Sequence, residues 1–104
     1  MYILTVTYSN SKDATFDWDY YRQTHLPKVG EAFGQHGLGY ASVLKGESSA
    51  DGSPPAFIAQ ATLSFREEEG ARAALASEGA AALVADIPNF TNVAPAIQFN
   101  TAIP

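Results

Sequence analysis

The sequence predicts an α+β fold of order β, α, β, β, α, β around one antiparallel sheet. Period-two apolar patterning in four stretches predicts the strands, and apolar residues three or four apart in the two long stretches between them predict the helices. Length supplies the third constraint, because 104 residues leave room for one core.

Tyr2 to Tyr8 is rich in aromatic and β-branched residues, with Leu4 and Val6 on one side and Ile3, Thr5 and Thr7 on the other, and reads as a strand. Ser9 to Thr15 is polar, and Thr15 or Asp17 can cap a following helix. From Asp17 to about Gln35, Trp18, Tyr21, His25, Val29 and Phe33 recur on one helical stripe. Pro27 interrupts it: its ring clashes with the Gln23 carbonyl and biases Leu26 away from helical geometry, which predicts a kink or two short helices. Gly37 and Gly39 bracket the stop.

Leu38 to Lys45 reads as a second strand, and Gly46 to Pro55 as a loop too rich in Gly, Ser and Pro to hold a ladder. In a third strand, Ala56 to Phe65, the residues Phe57, Ala59, Ala61, Leu63 and Phe65 share one face, and Ile58, Gln60, Thr62 and Ser64 the other. The two alanines leave space for a ligand cavity or for a close-packed partner. Ser64 to Ala85 is helical by propensity, with a break near Ser77 to Gly79, and Pro88 stops it. Val93 to Thr101 is the last strand, with Pro95 suited to its start or to an edge. This order is the ferredoxin-like split βαβ arrangement in a single domain, residues 1–104. Apolar residues occur on both faces of several strands while two helices cover one, which predicts a homodimer.

Six Lys and Arg against eleven Asp and Glu give a net charge of −5 without a basic stretch, so nucleic acid and anionic membrane are poor partners. The chain has no cysteine, which removes disulfides, thiolate metal sites and a cysteine nucleophile. The opening MYILTVTY is too short to span a bilayer and lacks signal-peptide features, and a cytoplasmic location is expected. There is no catalytic triad, phosphate-cradling loop, dinucleotide fingerprint or metal-binding spacing.

Phe16-Asp17-Trp18-Asp19-Tyr20-Tyr21-Arg22-Gln23-Thr24-His25-Leu26-Pro27 resembles the EthD-family pattern of a tyrosine pair followed by H-x-P, and Ala85-Asp86-Ile87-Pro88-Asn89-Phe90 resembles that family's second signature. The resemblance implies a dimeric α+β barrel, two sheets meeting face to face with helices outside and a pocket between sheet and helices. Relatives in the superfamily include cofactor-free monooxygenases, lactone isomerases, polyketide cyclases and haem-degrading enzymes.

His25 is the leading candidate for chemistry, as a residue that exchanges protons near neutral pH one helical turn from Tyr21. A break at Leu26-Pro27 would place it at a helix C-terminus, as a general acid or hydrogen-bond donor or simply as a cap. Tyr21 can orient a substrate oxygen or anchor the helix, and Trp18 and Phe33 are candidate substrate-binding walls. Gln60 and Thr62 can line a pocket or face a dimer seam. Asp86 and Asn89 read first as turn residues before and after Pro88, with pairing of Asp86 to a histidine or arginine as the other reading. The functional expectation is a cofactor-free enzyme, of oxygenase, isomerase or cyclase type, acting on a hydrophobic oxygenated small molecule with His25 and Tyr21 as catalytic residues and no metal. The alternative is a non-catalytic small-molecule-binding or accessory protein of a catabolic or biosynthetic pathway.

Overall fold

A computed structural model describes all 104 residues. Four strands, β1 (Tyr2–Ser9), β2 (Leu38–Lys45), β3 (Phe57–Phe65) and β4 (Ala96–Asn100), form one antiparallel sheet in the order β2-β3-β1-β4. The chain crosses from β1 to β2 through α1 (Trp18–Tyr20), a π-helical turn (Tyr21–His25), α2 (Leu26–Phe33) and a 3-10 turn. It crosses from β3 to β4 through α3 (Glu68–Leu75), α4 (Glu78–Asp86) and a second 3-10 turn, Ile87–Asn89. The result is a slab of 39 × 35 × 19 Å, thin because it has one sheet layer and one helix layer.

Register decides what each face carries. Leu4 opposes Leu63 and Phe99, and Val6 opposes Ala61 and Ile97, on the face the helices cover. There Leu4, Leu63 and Phe65 pack with Val29 and Phe33 of α2, Ala71 and Ala74 of α3, and Ala80 and Leu83 of α4. The alanines let helix backbones approach the sheet, so large residues are needed from one layer only. A second cluster joins Tyr8, Tyr21, Ala59 and Phe90, and aromatic rings fill the space beside Ala59. The other face carries Thr5, Thr7, Ser42, Gln60, Thr62 and Gln98 by the same registers, with Tyr40 and Leu44 largely exposed on edge strand β2. Ile3, opposite Ser64, adds to its apolar surface.

Pro27 does not break its helix. Leu26 keeps helical angles (φ −59°, ψ −42°), and the helix widens one turn earlier, where the Leu26 N–H donates to the Tyr21 carbonyl in an i to i−5 bond. A wider turn takes up the proline's bulk and missing donor without interrupting the rod. His25 (φ −72°, ψ −52°) is therefore inside a helical run and not at a C-terminus, so the expected dipole effect on it falls away. Asp17 caps α1, its Oδ1 accepting the Tyr20 N–H at 3.1 Å, and Gly37 ends the run in the left-handed region at φ +91°.

The long second helix is two. Ser64 and Phe65 remain in β3, and Ser77 separates α3 from α4 by capping the second, its Oγ accepting the Ala80 N–H at 3.2 Å. Gly70 of α3 lies against the His36 carbonyl, where a Cβ would overlap backbone. Gly70→Ala is therefore expected to destabilise by about 1–3 kcal/mol in urea unfolding through overpacking. Helix propensity alone predicts the opposite sign, a gain of about 1 kcal/mol.

Candidate active site

The two signature stretches meet in space. Phe16 bridges to Thr91 as an isolated antiparallel pair, the Asp17 N–H donates to the Phe90 carbonyl at 2.7 Å, and the Thr91 hydroxyl donates to the Thr15 carbonyl at 2.6 Å. This seam holds the end of α4 against the π-helical turn. Across it, the buried His25 Nδ1 lies 2.9 Å from Oδ2 of the equally buried Asp86.

Asp86 is the hub. Its Oδ1 accepts the Tyr20 hydroxyl at 2.6 Å and the Asn89 Nδ2 at 3.0 Å, and Lys28 Nζ stands 3.9 Å away. Burial pushes the carboxyl up, but hydrogen bonds from Tyr20, His25 and Asn89 and the Lys28 charge outweigh it and hold the group at about 2. Asp86 is thus an anion at neutral pH that only accepts, so His25 Nδ1 must carry the proton. In the neutral imidazole the lone pair is then on the other ring nitrogen, Nε2, which makes no hydrogen bond to the protein. The bond to Asp86 raises the Tyr20 phenol above its usual value.

The π turn explains which tyrosine does this. In an α-helix residues five apart point about 140° away from each other, but a π turn closes between such residues and brings them over one another. Tyr20 and His25 are five apart, and both reach Asp86. Tyr21, expected to turn its hydroxyl to a ligand, instead stacks its ring on His25 (centroids 5.5 Å apart, 19° between planes), and burial raises its phenol to about 12. Phe90 packs against both rings, with its centroid 4.6 Å from the imidazole and 5.2 Å from Tyr21, and Trp18 packs edge-on against Tyr21.

His25 lines an apolar cavity of about 60 Å³ between sheet and helices, with Leu4, Tyr8, Val29, Phe33 and Leu83 among its walls. Of the expected wall residues Phe33 is there and Trp18 is not, and Tyr21, expected to act on the ligand, does not line it either. Gln60 and Thr62 are not brought to the site, because strand alternation puts them with Thr7 and Thr5 on the opposite sheet face. No three His, Asp or Glu side chains converge to hold a metal ion. Sequence reasoning passed over Tyr20 and set Asp86 aside as a turn residue. The signal was its position on the buried stripe of α4, three residues after Leu83 and six after Ala80.

The EthD-domain profile matches residues 10–94, a span that contains both signatures and the whole His25–Asp86 network. The chain belongs to the EthD family. An EthD-like protein from Ralstonia eutropha is 33% identical, with a TM-score of 0.88 over 99% of this chain and 92% of that one. An ethyl tert-butyl ether D (EthD) family protein from Bacillus halodurans superposes at 0.78 with 18% identity over 99% of both chains. SnoaB, a cofactor-independent oxygenase from Streptomyces nogalater, shares the fold at 0.65 and 13% identity, over 99% of this chain and 92% of that one. No curated protein matches the chain. No helix of this EthD-family chain is long and apolar enough to cross a membrane.

Proposed function

We propose that this EthD-family chain is a cofactor-free enzyme in which His25 Nε2 removes a proton from a hydrophobic, oxygenated small molecule held at the apolar cavity. The reading rests on one observation: a buried imidazole that lines an apolar space, its Nδ1 tied to an ionised carboxylate and its Nε2 without a hydrogen bond to the protein. Asp86 sets the tautomer and stabilises the imidazolium formed on proton transfer, while Tyr20 and Asn89 orient Asp86. Tyr21 and Phe90, themselves in contact, both pack against the ring and hold its orientation. In a weakly polar cavity a carbon acid next to a carbonyl, or a phenol, is the class of group such a base can ionise. Oxygenase, isomerase and cyclase reactions share that proton abstraction. They differ in whether the anion meets dioxygen, is reprotonated elsewhere or attacks a nearby carbonyl. The likeness to SnoaB supports the oxygenase branch at the level of fold.

Screening quinone, lactone and polyketide-like substrates with wild type, His25→Ala and His25→Gln tests the reading. Both variants are expected to lose about 10²–10⁴-fold in turnover, and unchanged turnover in both removes His25 from the mechanism. We further infer that the sheet face bearing Thr5, Thr62, Tyr40 and Leu44 pairs with a second copy, since the helices pack on the other face. Sedimentation at micromolar concentration is expected to give a dimer, and a well-folded monomer refutes it.

A further inference from the structure

We propose that the cavity at His25 is only the inner end of a two-part ligand site, and that the apolar body of the ligand lies outside it, in the groove between the end of α4 and residues 91–95. The inference rests on the reading of His25 as the reacting group and adds where the rest of the ligand sits. The ligand class it selects is a fused-ring or elongated apolar molecule with a carbonyl or hydroxyl at one end.

Size is the first argument. About 60 Å³ exceeds the roughly 10–15 Å³ one water needs but is far below the roughly 300 Å³ at which small-molecule sites begin. An oxygenated end enters such a space, and a whole ring system does not. Openness to the surface is the second. Two walls of this cavity are apolar side chains reaching solvent: Val84 in the last turn of α4 is 52% exposed, and Ile97 on edge strand β4 is 38% exposed.

Continuity is the third argument. A groove of about 360 Å³ shares Val84 and Ile87 with the cavity and runs on over Pro88, Val93, Ala94 and Pro95. Residues 93–95 precede the first residue of β4, so they form a wall without sheet pairing. Inner and outer parts together reach the size of an ordinary small-molecule site. The larger groove between α2 and α4, about 620 Å³, is a poorer route. It meets the cavity only at buried Leu83 and is lined by Lys28, Glu31 and Asp86, which an apolar body would strip of water.

Binding of 2-naphthol, an apolar fused ring with one hydroxyl, tests this by titration calorimetry. Val84→Trp, at an exposed position, is expected to fill the mouth and weaken binding at least about tenfold, while Ala82→Trp in the α2–α4 groove leaves it unchanged. Equal affinity in Val84→Trp and wild type, or loss in Ala82→Trp alone, overturns the proposal. Because the chain has no cysteine, Val84→Cys supplies a single thiol and a check that does not depend on Val84→Trp folding. Saturating 2-naphthol is expected to slow its alkylation by N-ethylmaleimide several-fold, and an unprotected thiol overturns the proposal. Both readouts are binding, so they separate from turnover. If Val84→Trp blocks binding while His25→Gln keeps turnover, the two-part site stands and the catalytic reading falls. Normal binding by Val84→Trp with turnover lost in His25→Gln gives the reverse.

Discussion

Asp86→Asn is expected to keep the fold and lose about 10²–10⁴-fold in turnover, with little change in KM. The amide is the same size as the carboxyl it replaces. Its oxygen is claimed by the Tyr20 hydroxyl and the Asn89 amide at the Oδ1 position, which turns the new NH2 toward His25 Nδ1. Nδ1 must then accept, so the imidazole proton moves to Nε2 and the free lone pair there is lost. A donor now occupies the position from which the base would act. Activity within threefold of wild type would show that the tautomer does not matter and that His25 is not the base. Asn89→Ala and Tyr20→Phe remove one donor each and leave the carboxylate facing Nδ1, which places their effects between wild type and Asp86→Asn.

Asp86→Ala carries the largest expected effect on stability. It leaves the His25 Nδ1–H, the Tyr20 hydroxyl and the Asn89 amide without their shared acceptor at a buried site. Removing one partner of a buried pair costs about 3–5 kcal/mol, against a total of about 5–15 kcal/mol for a domain. The thermal midpoint is expected to fall by more than about 10 °C by calorimetry. A fall of only 1–2 °C would mean that water replaces the carboxylate without penalty. The same carboxylate predicts an acid signature. Its folded value, about 2, lies below the ordinary 3.8, so its contribution is complete above pH 3.8 and is lost as pH falls through 2. Asp86→Asn has nothing there to titrate. The gap in urea midpoint between wild type and Asp86→Asn is expected to narrow between pH 5 and pH 2.5, and a constant gap would contradict the depressed value.

The strands and their faces were legible because alternation is local. Leu4 and Val6 against Thr5 and Thr7, or Leu63 and Phe65 against Gln60 and Thr62, sort by parity before any partner strand is known. Ser77 was legible as a break and proves to be a cap. Pro27 was read as a kink or a break into two short helices, and of these the break does not occur, because the rule for proline assumes 3.6 residues per turn and the chain widens its turn instead. That change carried the site with it, bringing Tyr20 and His25 together onto Asp86.

What the sequence determined by itself is therefore the order of elements and the two sheet faces, and it singled out His25 as the candidate for chemistry. The tertiary structure alone decided that Asp86, sixty-one residues along the chain, is its partner, that Gln60 and Thr62 lie across the sheet from it, and that Gly70 must be glycine. The physical reason is range. Periodicity and propensity act over a few residues, whereas a buried carboxylate is tolerated only where distant donors converge on it.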